Sequence, residues 1–416
     1  KRQEMIQSLA PKGILVPPGF ATTADAFRAY LTANDLDAQI GTALDALATG
    51  KATLHKTGQA IRDMILGGDW PEGTAREIVD AYRALSKTAG EANIPVAVRS
   101  SATAEDLPDA SFAGQQETFL NVIGEAALLE ACRKCYASLF TDRAISYRQI
   151  QGFSHQQVAL SVGVQQMVRA DTGGSGVMFS IDTESGFPDA VLINAAWGLG
   201  ENVVQGAVDP DEYEVFKPFL DDETKVPILE KTLGAKKIKM IHDRDGTPRN
   251  VPTSKAERAA FVLSDAEILA LARQAKVIEE HYGCPMDMEW ARDGKTGTLY
   301  IVQARPETVQ SRIEVGSLKS YTVGDAGKTL VTGLSVGNAA VTGRVCMIES
   351  AADIANFVDG SVLVTSTTDP DWVPIMKRAA AIVTDHGGRT SHAAIVSREL
   401  GLPAVVGCGD ATLLLH

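Results

Sequence analysis

The sequence predicts a protein of mixed α/β and α+β class, in which a large mixed part is followed by a small α/β domain. Residues 158–164 alternate between apolar and polar or small residues, which is typical of a half-buried strand. Residues 343–406 alternate strand-like apolar runs with helix-like segments, which indicates a small α/β domain. The 416 residues are enough for two or three domains with a substantial core.

Composition and charge exclude several classes of protein. Hydrophobic residues make up 45% of the chain and charged residues 22%, which is ordinary for globular domains and unlike disordered or fibrous proteins. The net charge of −13 argues against nucleic acid or an anionic membrane as a partner, because both would repel the protein on average. With no apolar run of 18 residues and no signal peptide, we expect a cytoplasmic protein.

Residues 1–90 are predicted to be rich in helix. Thr22 or Thr23 caps a first helix. Residues 94–99 have the pattern of a buried strand, and apolar spacing predicts one long helix over 125–151. Further helices are expected near residues 35–48, 51–66 and 74–88. Cys132 and Cys135 lie within the long helix and have no second Cys or His pair nearby, so we interpret them as core residues rather than a zinc or redox site.

The middle of the chain is predicted to form strands. A turn over 171–176 precedes a strand at 177–180, and we interpret its glycines as a hairpin connector rather than a phosphate-binding loop. Ser264 and Glu267 form a capping box that opens a helix ending near His281. Two short strands, 285–291 and 298–304, then form a hairpin, and a further strand is expected at 190–194.

This hairpin carries candidate nucleotide-binding residues. Alternation places Asp287 and Glu289 on one face of its first strand, and Gln303 and Arg305 on one face of its second. These groups suit a complex of Mg²⁺ and a nucleoside triphosphate, because magnesium takes oxygen ligands and arginine binds phosphate oxygens. From the hairpin alone, an exposed polar face with a surface salt bridge is the favoured interpretation.

A polar, glycine-bearing linker over 311–328 is predicted to separate residues 1–310 from a C-terminal domain, 329–416. That domain is predicted to alternate strands 343–348, 361–366, 380–384 and 403–406 with helices 351–357, 371–378 and 391–400. The chain opens at Lys1 inside a helix-like segment and stops at His416 after a strand-like run, so we expect both ends to be cut.

His392 is the candidate nucleophile of the C-terminal domain. Two glycines, Gly387 and Gly388, precede it, and Thr390 is predicted to cap the following helix. The free N–H groups and the helix dipole would stabilise a phosphoryl group carried on His392. An imidazole with a pKa near ~6.5 is largely neutral at pH 7 and available as a nucleophile. The alternative is a histidine that only caps the helix, and His386 lacks a third ligand for a metal site.

The string over 387–398 resembles the signature of enzymes that carry phosphate on histidine between phosphoenolpyruvate and another partner. Further matching strings lie at residues 98–102, 111–120, 197–201, 300–308 and 368–372. Residues 94–310 resemble the nucleotide-binding domain of the ATP-grasp fold, and residues 329–416 resemble a swivelling phosphohistidine domain. Over nearly its whole length the chain is therefore similar to the phosphoenolpyruvate synthase family, also called pyruvate, water dikinases.

The resemblance implies roles for matching residues. His392 would become phosphorylated, and Arg305 and Arg99 would stabilise the charge on the phosphates. Thr390 matches a site of regulatory phosphorylation in some relatives, so a regulatory kinase or phosphatase is an expected partner. The residues implied to bind ATP are Arg99, Gly114, Gln115, Thr118, Gln165, Glu201, Glu289, Gln303 and Arg305, with Glu289 and Gln303 also holding Mg²⁺. Each of these residues also has a structural interpretation that competes with the functional one when the residue is taken singly. Arg99 could form a structural ion pair, residues 111–120 an ordinary turn, and Thr390 only a helix cap.

The resemblance also implies a reaction. ATP and Mg²⁺ would bind in the ATP-grasp cleft, and His392 would attack the β-phosphorus and release AMP. Phosphate would then be lost to water, and the phosphohistidine would pass to pyruvate to form phosphoenolpyruvate. The chain begins after the family's glycine-rich, lysine-bearing segment and lacks its (β/α)₈ domain for pyruvate, so we expect the ATP half-reaction only.

Three alternatives stay open. Pyruvate, phosphate dikinase shares these parts but hands a phosphate to inorganic phosphate, and the string at 368–372 favours the water-dependent enzyme. Rifamycin phosphotransferase places an antibiotic-binding domain between the two domains, for which the linker is too short. A non-enzymatic phosphocarrier would have His392 phosphorylated by a separate protein, and the intact set of nucleotide residues argues against this alternative.

Overall fold

The computed structural model describes residues 8–102, 106–107, 110–111, 117–151, 158–183, 185–243, 246–307, 327–337, 339–389 and 391–415. The chain divides into two compact units. The smaller unit consists of residues 17–167, and the larger unit consists of residues 1–16 and 168–416. Within the described residues, no helix has both the length and the apolar character that crossing a bilayer requires.

The smaller unit packs helices on one face of an antiparallel sheet with the strand order β1-β6-β2-β5. Its strands are β1 (Gly19–Ala21), β2 (Val96–Ala102), β3 (Asp106–Leu107), β4 (Ala110–Ser111), β5 (Thr118–Val122) and β6 (Leu160–Gln166), with β3 paired to β4. Its helices are α1 (Ala24–Ala33), α2 (Leu36–Ala48), α3 (Leu54–Gly67), α4 (Glu72–Ala89), α5 (Glu125–Ser138) and α6 (Asp142–Gln151). The four predicted N-terminal helices are thus confirmed.

The prediction of one helix over 125–151 is wrong. Helix α5 ends at Ser138, and α6 begins at Asp142. The backbone N–H of Phe140 bonds to the carbonyl three residues earlier, which tightens the last turn, and Thr141 then caps α6 by accepting from the N–H of Ala144. Because Leu139 between the helices is buried in the same core, apolar spacing continues through the break and does not show it.

Cys132 and Cys135 lie buried in α5 as free thiols, which confirms their interpretation as core residues. Burial raises the pKa of Cys132 to about 12 and that of Cys135 well above its ordinary value. Neither thiol is therefore poised to ionise near neutral pH. At the start of α1, Thr23 is the cap, whereas the Thr22 hydroxyl accepts from the N–H of Val162 in β6.

The larger unit contains a six-stranded antiparallel sheet with the order β10-β9-β8-β7-β13-β14. Its strands are β7 (Gly174–Phe179), β8 (Ala190–Trp197), β9 (Asp211–Phe216), β10 (Ile228–Thr232), β11 (Ile238–His242), β12 (Pro248–Pro252), β13 (Met286–Arg292) and β14 (Leu299–Pro306). The helices of this part are α7 (Glu201–Val204), α8 (Lys255–Ala259) and α9 (Asp265–Tyr282). Strands β11 and β12 form a separate pair.

Helix α9 packs on one face of this sheet. Its apolar residues, including Leu271 and Ile278, share a core with Met178, Ile193 and Trp290 from the strands. The predicted capping box is confirmed, since Ser264 and Glu267 each accept from the other's backbone N–H. The predicted hairpin is also confirmed as the pair of β13 and β14.

The predicted turn over 171–176 is only partly correct. A short 3₁₀ helix covers Ala170–Thr172, and β7 already begins at Gly174. A Cβ on Gly176 would lie 1.8 Å from the carbonyl oxygen of Asn194 on the neighbouring strand, so this glycine allows close strand packing rather than a turn. Residues 218–262, for which the sequence predicted no element, contain β10, β11, β12 and α8.

The end of the larger unit is a five-stranded sheet with the order β15-β19-β18-β17-β16. Its strands are β15 (Leu334–Val336), β16 (Val345–Met347), β17 (Val362–Thr365), β18 (Ala381–Thr384) and β19 (Ala404–Val406), and its helices are α10 (Val373–Met376), α11 (His392–Leu400) and α12 (Ala411–Leu414). The four predicted strands are parallel, and β15, which the sequence did not predict, adds an antiparallel edge. Most of the predicted linker, residues 311–326, lies outside the described residues.

Candidate functional site

His392 is the first residue of helix α11, immediately after the loop that leaves β18. The helix is capped by Ser391, whose hydroxyl accepts from the N–H of Ala394 at 3.4 Å. The predicted cap, Thr390, is therefore wrong by one residue, and Thr390 itself lies outside the described residues. The prediction that His392 lies in the first turn of a helix is confirmed, which places its backbone at the positive end of the helix dipole.

Thr368 forms a hydrogen bond with one nitrogen of the His392 ring. The Oγ1 atom of Thr368 lies 2.9 Å from Nδ1 of His392, and Thr368 is fully buried. Both residues follow the carboxyl ends of neighbouring parallel strands, Thr368 after β17 and His392 after β18, which is why they meet. When Nδ1 carries the proton and donates to Thr368, the other ring nitrogen, Nε2, keeps its lone pair for a nucleophilic attack.

Sequence reasoning did not assign Thr368 a role. The residue lies in the string 368–372, but nothing in that string points to His392, 24 residues away. The available signal is the predicted order of elements, because parallel neighbouring strands bring the loops at their carboxyl ends together.

The hairpin of β13 and β14 brings the predicted nucleotide residues of the larger unit together. Glu289 lies directly opposite Gln303, and Asp287 lies directly opposite Arg305. Met288 and Trp290 alternate with these residues on β13, as Ala304 does on β14, and all three pack in the core beneath α9. The four polar side chains therefore share the opposite face of the sheet. A carboxylate and an amide oxygen opposite each other have Cβ atoms about 5 Å apart, so both can ligate one Mg²⁺ ion.

Asp287 is the partner of Arg305. The Nε and Nη2 atoms of Arg305 lie 2.8 and 2.7 Å from Oδ2 of Asp287. Burial raises the pKa of the Asp287 carboxyl, and the guanidinium of Arg305 offsets part of that effect. Sequence reasoning placed Asp287 on this face but did not include it in the site. The cross-strand register that pairs it with Arg305 is the signal that identifies it.

The smaller unit gathers a second group of predicted residues. Arg99 on β2 lies opposite Thr118 on β5, and Gln165 on β6 lies opposite Ala97. Arg99 also lies opposite Gly163, two residues from Gln165, so Arg99, Thr118 and Gln165 share one face of the sheet. The other face belongs to the hydrophobic core. The two remaining predicted residues of this unit, Gly114 and Gln115, lie outside the described residues.

Glu201 begins helix α7 in the larger unit, and its Oε1 atom accepts from Nε2 of Gln205 at 2.7 Å. Val203 of the same helix packs with Val177 of β7, the residue opposite Glu289 on the sheet. Glu201 therefore belongs to a helix that covers the face of the sheet on which Glu289 lies. Sequence analysis assigned Glu201 to the nucleotide site only because residues 197–201 resemble the corresponding string of the family.

Two family models match the chain. A family model described as "Pyruvate phosphate dikinase, AMP/ATP-binding domain" matches residues 1–322, which is most of the chain. The chain belongs to this family. A second family model, described as "PEP-utilising enzyme, mobile domain", matches residues 357–416, the range that contains Thr368 and His392.

Curated relatives carry the name phosphoenolpyruvate synthase, which confirms the resemblance drawn from the motifs. The relative from Synechocystis sp. is 54% identical over 424 residues, which cover 98% of this chain and 52% of the relative. The relative from Pseudomonas aeruginosa is 53% identical over 418 residues (99% and 52%), and that from Escherichia coli is 52% identical over 416 residues (98% and 52%). The chain thus spans about half the length of the curated relatives that it matches.

Proposed function

We propose that this chain performs the nucleotide half of a pyruvate, water dikinase reaction, in which ATP phosphorylates His392. The observation that carries the proposal is the 2.9 Å contact between Thr368 and Nδ1 of His392, which suits an Nε2 nucleophile at the start of a helix. The match of residues 1–322 to an AMP/ATP-binding domain supports ATP as the phosphate donor.

We assign residues 1–310 to an ATP-grasp nucleotide-binding domain and residues 329–416 to a swivelling phosphohistidine domain joined by the linker 311–328. The antiparallel sheets of the first part and the mostly parallel sheet around His392 support this division. The mobile-domain match over 357–416 supports the assignment of the second part.

The assigned residues have distinct roles in this proposal. Glu289 and Gln303 hold Mg²⁺, which neutralises charge on the phosphate oxygens when it is bound. Arg305, oriented by Asp287, stabilises the charge that develops as the phosphoryl group transfers. The remaining nucleotide-binding residues are Arg99, Gly114, Gln115, Thr118, Gln165 and Glu201, as the family resemblance implies.

The first step forms a bond between Nε2 of His392 and the β-phosphorus of ATP, while the bond from that phosphorus to the AMP oxygen breaks. The proton on Nδ1 stays with the Thr368 hydrogen bond during the attack. Water then removes the terminal phosphate, leaving phosphohistidine, and pyruvate is the acceptor that the names of the relatives support. Regulatory phosphorylation of Thr390, two residues from His392, would add charge beside the nucleophile.

The test follows the β-phosphate of ATP. The chain is incubated with Mg²⁺ and ATP labelled at the β-position, and an acid-labile label and AMP release are measured. We expect labelling of the wild type and none of His392→Ala, because only His392 supplies the nucleophile. His386→Ala, which changes a histidine of the same loop, serves as the matched control and should label normally. A label that survives His392→Ala, or transfer of the γ-phosphate alone, would overturn the proposal.

A further inference from the structure

The loop that precedes His392 packs against residues 206–212 of the same compact unit. The backbone N–H of Gly387 donates to Oδ1 of Asp209 at 3.3 Å. A Cβ on Gly206 would lie only 2.7 Å from the Cβ of Ser391, the residue that caps the helix of His392. A Cβ on Gly388 would lie 3.2 Å from Oε1 of Glu212. The contact is thus close-packed at its two glycines and hydrogen-bonded at Asp209.

This contact lies on the same sheet face as the candidate nucleotide residues. Glu212 on β9 lies opposite Asn194 on β8 and accepts from its Nδ2 atom at 3.2 Å. Tyr213, the next residue of β9, points into the core beneath α9, so Glu212 points to the other face, as Glu289 does. From β9 to β13 there are three strand spacings, and at about 4.8 Å each they put Glu212 roughly 14 Å from Glu289.

We propose that Gly206 and Asp209 are positioning residues, which hold Gly387 and Ser391 against this sheet face and thereby keep His392 within reach of the bound nucleotide. The inference rests on the proposed function, since it assumes that His392 accepts phosphate from ATP. Neither residue touches the nucleotide in this scheme. Both act through the loop that carries His392.

The geometry of the contact explains why residue 206 is a glycine and residue 209 an aspartate. Any side chain at 206 meets Ser391, and its Cβ contact of 2.7 Å is too short to be absorbed without moving the loop. Asp209 supplies a carboxylate acceptor for an N–H of a glycine whose φ is +111°, where the loop turns. Since a misplacement of about 1 Å costs on the order of 100-fold in rate, a shifted loop should slow phosphorylation strongly.

The first test compares two glycine substitutions with matched backbones. Gly206→Ala introduces a Cβ at φ +68° against Ser391, whereas Gly283→Ala introduces one at φ +71° into open space after helix α9. Both variants carry the same backbone strain, so the backbone alone should lower Tm by a similar amount in each. Only Gly206→Ala should slow labelling of His392 by ATP, by roughly 10- to 100-fold. Equal labelling rates in the two variants would overturn the inference.

A second variant tests whether the effect is steric. Ser391→Gly removes the Cβ that an alanine at 206 would meet, and glycine is tolerated at a helix cap at little cost. With Ser391→Gly as its own reference, adding Gly206→Ala should therefore slow labelling much less than it does in the wild type. An undiminished effect in the Ser391→Gly background would show that Gly206 does not act through this contact, and would overturn the inference.

A third measurement needs no nucleotide. Asp209→Ala and Gly206→Ala should each speed amide hydrogen exchange in peptides that contain Gly387. The first variant removes the acceptor of the Gly387 N–H, and the second moves the loop away from it. Gly283→Ala should leave those peptides unchanged. Unchanged exchange in all three variants would contradict the inference. If the wild type takes no label at all, the proposed function fails and this inference with it, whereas labelling of the wild type and Gly206→Ala at one rate refutes this inference alone.

Discussion

The contact between Thr368 and Nδ1 of His392 bears on which ring nitrogen can react. A neutral imidazole has one protonated and one free nitrogen, and when Nδ1 donates to the hydroxyl of Thr368, Nε2 is the free nitrogen. The threonine side chain is buried, so water does not compete for this contact on the threonine side. We therefore expect Thr368 to influence the reactivity of His392.

We predict that Thr368→Val slows labelling of His392 by ATP. Valine has a similar shape but no hydroxyl, so Nδ1 loses a hydrogen bond worth about 1 kcal/mol, which corresponds to roughly a fivefold lower rate. Imidazole ¹⁵N NMR should show a smaller population of the tautomer protonated at Nδ1. Thr368→Ser keeps the hydroxyl and should restore both measurements. A wild-type rate together with an unchanged tautomer population in the valine variant would refute the prediction.

At the scale of the element, helix α9 shows how one side chain joins local and tertiary structure. Glu267 accepts from the N–H and hydroxyl of Ser264 at 2.8 and 2.7 Å, and its Oε1 atom lies 2.9 Å from Nη1 of Arg292 on β13. Burial alone would raise the pKa of the Glu267 carboxyl, but the hydrogen bonds from Ser264 and the charge of Arg292 together hold the pKa below its ordinary value.

We predict that Glu267 contributes stability that acid removes. A carboxyl whose folded pKa is lowered stabilises the fold above its unfolded pKa, near 4.5, and loses that contribution as the pH falls through the folded pKa. Glu267→Gln keeps the capping box but removes the charge. The difference in the free energy of unfolding between wild type and variant should therefore be larger at pH 7 than at pH 3, as measured by urea denaturation.

The control is Glu280→Gln, which removes a carboxylate from an exposed position of the same helix. It separates the loss of one charge from the loss of the contacts that Glu267 makes. A difference for Glu267→Gln that stays constant with pH, or grows in acid, would show that the ion pair and the cap do not lower the folded pKa.

At the scale of the whole molecule, the larger unit contains distinct hydrophobic cores. One lies between α9 and the six-stranded sheet, and another surrounds the five-stranded sheet that carries His392. The sequence predicted a boundary between these parts at 311–328, whereas contacts group residues 168–416 into one compact unit. The separate cores are compatible with the predicted boundary, and the shared unit includes the contact between Asp209 and Gly387.

We predict that the core around His392 opens without the core beneath α9. Ile382 is fully buried in the five-stranded sheet, and Ile382→Ala should cost about 2–5 kcal/mol there. Hydrogen exchange should then speed in β17, β18 and β19 while α9 stays protected. Ile278→Ala, at a fully buried position of α9, is the matched variant and should have the reverse effect. Equal loss of protection in both regions would show that the two cores unfold together.

Much of the fold was predictable because it depends on short-range patterns. The capping box at Ser264, the hairpin around Asp293 and the alternating strands of the C-terminal sheet each need only neighbouring residues to be recognised. The helix over 125–151 was mispredicted for the same reason, since apolar spacing continues through a break that depends on how Leu139 packs. The edge strand β15 is too short to produce a periodic signal.

The sequence by itself determined the family and predicted the candidate nucleophile and the candidate nucleotide residues, because these lie in contiguous strings that are recognised without coordinates. Only the tertiary structure decided which distant residues meet them: Thr368 at the ring of His392, Asp287 at Arg305, and Gly206 at Ser391. Such contacts depend on strand register and on the packing of loops far apart in the chain. No local pattern encodes them, because the residues become neighbours only when the sheets have formed.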